Sequence, residues 1–296
     1  MPQSRALKEQ RPPDLPAIAE LTSVPFFAQQ EYQCGPAALA MALNAAGLGV
    51  TPEELVEQVY IPARKGTLQV EMLASARRHG LIAYELAPKL TDLLSEIAAG
   101  APVIVLENYG FRILPLWHYA VVIGYDLERG EIIRRSGTKQ RQTMPFGVFE
   151  YLWKDEGHWA MVALPPDRIP ASATEARYAS AVIALEKSGQ TKNARIAYTA
   201  LLKRWPESLA GQMGLGNTAY AMKDTETAES AFRMATKNHP DAAAAFNNLA
   251  HVLAGRGKLE AALAAAERAV SLGGPLLEAA RATLEDIRRQ AAAQKH

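Results

Sequence analysis

The sequence predicts an α+β domain followed by an all-α repeat array. Three observations carry this. Between residues 21 and 166, helical signals come first and apolar strand signals follow, the order of an α+β layer with an antiparallel sheet. Beyond residue 174 the chain is Ala-rich helix with an internal period of 34 residues. A Pro/Ala/Ser stretch, 167–174, separates the two halves and reads as a linker.

The elements follow in order. Residues 1–20 are polar and Pro-rich, lack the apolar core of a signal peptide, and read as a flexible lead-in. A first helix starts at Cys34 or Gly35 and runs to about Ala46; Pro36 suits its first turn, where a missing N–H costs nothing. Thr51, Pro52, Glu53 and Glu54 form a capping box that opens a second helix. Thr67 is the expected cap of a third, which ends at His79 and Gly80. A short strand over 81–86, a helix over 90–98 and a buried strand over 101–106 come next. A strand over 118–125 turns through Asp126 to Gly130 and returns over 131–135. A last strand spans 158–164. The domain is therefore expected over 21–166.

In the second half, Tyr178, Gln212 and Phe246 share one register, and Ala194, Ala228 and Ala262 share another. Tyr198, Phe232 and Ala266 repeat with the same spacing. Pro206 and Pro240 close the first two units, with Gly274 in the third place. This resembles the tetratricopeptide repeat: three units over about 175–208, 209–242 and 243–276, then a capping helix from Pro275 to about Ala293. The repeat region is expected over 175–296. The resemblance implies a solenoid whose groove recruits a protein or peptide partner.

Composition narrows the function classes. Lys+Arg 32 against Asp+Glu 31 gives a net charge of +1, so no nucleic-acid partner is implied. One cysteine excludes an internal disulfide framework and a Cys-rich zinc site. No His/Asp/Glu cluster has metal-ligand spacing and no Gly-rich phosphate loop occurs, so neither cofactor nor metal is expected. No stretch approaches a membrane span. The chain as given reads as cytoplasmic, or as periplasmic or lipoprotein if a signal segment has been removed.

Cys34 stands at the start of the first helix, followed by Gly35 and Pro36. A helix N-terminus and a nearby imidazolium both lower a thiol pKa, and a thiolate is the nucleophile. Gly35 is expected to admit a substrate backbone closely. His118 heads an apolar strand beside Trp117, which is a candidate cleft wall. Gln29 offers an amide to a developing oxyanion beside the Cys34 N–H. A lone cysteine is more often a small buried hydrophobe; its neighbours here reverse that reading. His79 and His158 read as structural, and His239 and His251 belong to the repeats.

The run Val24, Pro25, Phe26, Phe27, Ala28, Gln29, then Cys34, Gly35, Pro36, Ala37, Ala38, Leu39, resembles the active-site start of the bacteriocin-processing peptidases. These are papain-like cysteine proteases that cut leader peptides after a Gly-Gly pair. The run from His118 to Asp126 resembles the same family's histidine strand. The resemblance covers roughly 22–165. It implies peptide-bond hydrolysis through a thioester, with Cys34 as nucleophile, His118 as base then acid, and Gln29 as oxyanion donor.

Two departures stand out. The Gln-to-Cys spacing is one residue shorter than in the exporter-linked members, which keeps Gln30 and Gln33 as rivals to Gln29. The family's Asp-Pro after the histidine strand is here Ser136-Gly137. Asp126 lies roughly 25 Å along the strand from His118, at about 3.3 Å per residue. Alternation returns Ser136 and Thr138 to the histidine end; Asn108 is a third candidate orienter. A neutral orienter stabilises imidazolium less than a carboxylate. The chain is therefore expected to be a cysteine peptidase, with a non-catalytic adaptor as the alternative and acyl transfer to an amine as a third reading.

Overall fold

The computed structural model describes residues 1–29, 33–111 and 113–294. The chain forms two compact units, Met1–Gln190 and Thr191–His296.

The first unit is α+β. Helix α2 (Cys34–Ala45) is apolar on every side and buries all residues from Gly35 to Leu43, which makes it the central helix. Helices α3 (Pro52–Val59) and α4 (Gln69–Arg78) pack beside it. The Thr51 capping box is present in full: Thr51 accepts from the Glu54 N–H, and the Glu54 carboxylate accepts from Thr51. The third helix is not capped by Thr67. Leu68 is its N-cap, and Thr67 lies in a two-residue ladder, β2 (Tyr60–Ile61) with β3 (Gly66–Thr67).

The sheet is antiparallel throughout. Its order is β4 (Ile82–Glu85), β9 (Ala160–Leu164), β5 (Val103–Asn108), β6 (Trp117–Asp126), β7 (Glu131–Ser136) and β8 (Lys139–Pro145). Strand β1 (Ile18–Glu20) pairs with the far end of β6. Val121, Tyr119, Ile104 and Leu106 project from β5 and β6 into the core beneath α2. The opposite face is covered by α5 (Leu90–Ala98) and α6 (Phe146–Trp153).

The N-terminal segment is not a flexible lead-in. Pro2–Glu9 forms α1, with Ser4 and Leu7 buried. Glu150 accepts from the Gln3 N–H at 3.0 Å and the Ser4 N–H at 2.8 Å. A carboxylate almost 150 residues away thus caps this helix, a device that local sequence does not reveal. The 167–174 stretch is anchored as well. The buried Glu96 carboxylate accepts from Ala171 N–H, Ser172 N–H and the Ser172 hydroxyl. The following helix α7 (Glu175–Lys187) packs on β4 and α4, so the first unit continues past the Pro/Ala/Ser stretch.

In the second unit the period of 34 is visible as helix starts. Helices α9 (Leu209–Ala221), α11 (Ala243–Gly255) and α13 (Leu277–Ala293) open at that interval. So do α8 (Thr191–Arg204), α10 (Thr225–Asn238) and α12 (Leu259–Leu272). Ala194, Ala228 and Ala262 are fully buried where helices cross. Gly214 and Gly216 let the rings of Tyr198 and Phe232 reach the α9 backbone. A Cβ on Gly214 would stand 2.1 Å from the Tyr198 ring.

Gly214→Ala is therefore expected to destabilise the second unit by about 1–2 kcal/mol, overpacking outweighing alanine's helical preference. Urea denaturation of the full chain reads this as a lowered midpoint; a raised midpoint would show that the ring yields freely.

Candidate active site

Strand pairing sets out this site. In the β5–β6 register, Glu107 stands opposite His118 and Asn108 opposite Trp117. Strand β7 returns along the other edge of β6, with Arg134 opposite Val122 and Arg135 opposite Val121. By alternation His118, Glu107, Arg134 and Ser136 share one face of the sheet.

Gln29 ties the cysteine segment to that sheet. Its backbone N–H donates to Gly137 O at 3.0 Å. Its side-chain Oε1 accepts from the Gly137 N–H at 2.7 Å, and Nε2 donates to Tyr119 O at 3.0 Å. One amide hydrogen remains free of these contacts. Gln33 is the N-cap residue of α2 and makes no side-chain cap bond; Gln30 lies outside the described residues.

Cys34 opens α2, where its N–H is one of the unpaired donors of a helix start. Its thiol is half-buried and lines the same cleft as Gln29, His118 and Tyr119. The cleft has a volume of about 710 Å³. Trp117 and Leu116 wall one side; Arg64 and Thr67 lie on another. Phe111, Ile113 and Leu114, between β5 and β6, are strongly exposed, Ile113 at 97%. Gly35 serves packing rather than substrate approach: a Cβ there would stand 2.4 Å from Thr67 Oγ1.

The electrostatics differ from the expected ion pair. Burial pushes the Cys34 thiol up, more than the backbone amides of Tyr119, Gly35 and Cys34 itself draw it down. Burial and then the Arg134 guanidinium push His118 down from 6.5 to about 4. At neutral pH the site therefore holds a thiol and a neutral imidazole. Among the described residues no hydrogen bond joins the sulfur to the ring.

His118 Nε2 lies 2.9 Å from Ser136 Oγ. This leaves Nδ1 as the ring nitrogen open to a proton from the thiol. The other candidates for orienter are engaged elsewhere or exposed. Asn108 Oδ1 accepts from Gly110 and Leu116 N–H, both at 2.9 Å, and its Nδ2 donates to Asp155 at 2.8 Å. It holds the β5–β6 hairpin together. Thr138 sits exposed in the β7–β8 turn. Asp126 caps the far turn through Glu128 and Arg129 N–H.

Three residues at the site escaped the sequence reading. Tyr109 packs edge-on against the His118 ring, centroids 5.4 Å apart. Arg134 donates to the Tyr109 hydroxyl at 2.6 Å and pairs with Glu107 in full burial. The available signal was a charge placed where the pleat calls for an apolar residue: Glu107 ending an otherwise apolar strand, and Arg134 inside another.

Among the described residues the other histidines make contacts away from Cys34. His158 stacks edge-on with Trp153 at 4.8 Å, His79 bonds Gln58, and His239 and His251 bond Glu207 O and Thr283 within the repeats.

Residues 21–161 match the model of the Peptidase_C39 like family, and residues 180–243 and 213–294 match a tetratricopeptide repeat model. Residues 21–161 form a C39-like domain, and residues 180–294 carry tetratricopeptide repeats. Among solved structures, one described as a C39-like peptidase from Bacillus anthracis is similar at 18% identity and TM-score 0.43, covering 50% of this chain and 97% of its own. The first repeat domain of Spaghetti (RPAP3), bound to an HSP90 peptide, is similar at 20% identity and TM-score 0.38, covering 40% of this chain and 93% of its own. The Yersinia enterocolitica type III secretion translocator chaperone SycD has the same identity, TM-score and share of this chain, with 85% of its own covered. No curated protein matches the chain.

The depressed His118 has a consequence for this C39-like domain. The unfolded chain takes up a proton near pH 6.5 while the folded one does not until about 4. Stability from this residue is present above the unfolded value and is lost as pH falls between the two. The loss amounts to about 3 kcal/mol at most, at roughly 1.4 kcal/mol per unit. His118→Gln is expected to flatten the pH dependence of unfolding over that window relative to the unsubstituted chain. Parallel pH curves for the two proteins would contradict it.

Proposed function

We propose that the first unit hydrolyses peptide bonds through a thioester on Cys34. The observation that carries this reading is the convergence of Cys34, His118 and Gln29 on one cleft, with Ser136 holding the far nitrogen of the ring. As the sulfur attacks the substrate carbonyl carbon, its proton passes to His118 Nδ1. The developing oxyanion accepts from the Cys34 N–H and from the remaining Gln29 amide hydrogen. The C–N bond breaks, and His118 returns the proton to the departing amine. Water, deprotonated by His118, then attacks the thioester; its C–S bond breaks and the proton goes back to sulfur.

The apolar walls at Trp117 and Leu116 suit the side chains of an extended peptide. The tetratricopeptide repeats bind a protein partner, and a peptide segment laid in their groove is the mode that fits the helix pairs.

The neutral thiol favours a second reading, a peptidase-like adaptor with no turnover. Peptide-library digestion separates the two. The active reading expects cleavage by the unsubstituted chain and a loss of at least about a thousandfold on Cys34→Ala or His118→Ala. It also expects a thioester adduct on Cys34 in stopped reactions. Added amine diverts that adduct to amide if acyl transfer is the favoured outcome. No cleavage and no adduct across the library would establish the adaptor.

A further inference from the structure

Among the described residues no carboxylate bonds the His118 ring, yet a buried carboxylate stands one layer behind it. We propose that Glu107 is the acid of this site, acting on His118 as a positioning residue through the hydroxyls of Ser136 and Tyr109.

The donors run in one direction. For His118 Nδ1 to accept a proton from sulfur, the neutral ring must carry its hydrogen on Nε2, which then donates to Ser136 Oγ at 2.9 Å. Ser136 and Tyr109 meet at the same ring, Ser136 Oγ at Nε2 and the Tyr109 ring edge-on against the imidazole. The Tyr109 hydroxyl donates to Glu107 Oε2 at 3.1 Å. Arg134 closes the chain, bonding the same Glu107 oxygen and the Tyr109 hydroxyl. A fixed sequence of donors ending on an anion polarises each bond along it and selects one tautomer of the ring.

Three further features fit. Glu107 and His118 are register partners across β5 and β6, so the chain bends back on itself within one patch of sheet. Tyr109 also holds the imidazole by its ring edge. The Glu107 and Arg134 side chains are at most 1% exposed, and such a buried pair is seldom favourable for stability alone. A network that orients a catalytic ring supplies a reason for its presence. The full negative charge of a directly bonded aspartate is thereby exchanged for a screened one, compensated by Arg134. This accounts for an imidazole that rests neutral.

The inference rests on His118 being the base of the proposed reaction, but its test does not need turnover. The ring nitrogen signals of His118 in the full chain, followed by NMR, report the tautomer directly. The unsubstituted protein is expected to show the Nε2–H form alone. Tyr109→Phe keeps the ring and removes the hydroxyl; a mixture of tautomers is expected. Ser136→Ala is expected to give a mixture too, and the double variant no more than Ser136→Ala does. Where peptide cleavage is measurable, Tyr109→Phe should lower kcat by roughly three- to tenfold with little change in KM, and its effect should vanish in the Ser136→Ala background. An unchanged His118 tautomer in Tyr109→Phe overturns the proposal, as do effects of the two substitutions that simply multiply. Glu107→Gln is informative only if the fold survives the loss of Arg134's partner, which is why the tyrosine variant decides. Absence of peptide cleavage with the tautomer effects intact would refute the peptidase reading and leave the network standing.

Discussion

The Gln29 clamp is the constraint on which this site depends. The segment before α2 includes no strand among its described residues 21–29. Three hydrogen bonds from one residue tie it to Gly137 on one side and Tyr119 on the other. Gly137 directly follows the residue that holds His118, and Tyr119 directly follows His118 itself. A single glutamine therefore fixes the cysteine segment to both strands that carry the imidazole and its partner. Placing α2 by its all-round burial then brings the sulfur into the cleft. Part of the Gln29 amide is committed to this bracing, and one hydrogen is left for chemistry.

Charge is arranged around this clamp in an unusual order. Cys34 and His118 are kept neutral by burial, and the charges sit behind them as Glu107 and Arg134. Arg134 lowers the imidazole pKa and also anchors the tyrosine that packs on the ring. A preformed thiolate would need the opposite environment, with a bare carboxylate raising the ring. On the proposed peptidase reading, the proton moves as the bond to sulfur forms, so substrate binding and exclusion of water contribute more than a standing ion pair.

Much of this was legible in the sequence. The start of α2 at Cys34, the Thr51 capping box, the strand at His118 and the hairpin return to Ser136 all follow from local chemistry and alternation. The period of 34 gave the helix pairs because each unit repeats the same crossing residues. What was not legible depended on distant partners. Helix α1 is capped by Glu150, from the other end of the domain. The 167–174 stretch, which reads as a linker in sequence, is held by Glu96. The role of Gly35 depends on Thr67, which pairs in a two-residue ladder rather than capping a helix. Tyr109 and Glu107 join the site only once the β5–β6 register is known, since no spacing along the chain links them to His118.

The central claim is that Cys34 and His118 rest as a neutral pair and exchange a proton only during attack. Cys34 is the single cysteine, so the ultraviolet signal of a thiolate in this protein has one source. Titrating that signal in the full chain tests the claim most directly. The account predicts no thiolate at neutral pH and ionisation above the ordinary thiol value of about 8.5. A thiolate already present near neutrality, and lost on His118→Ala, would contradict it.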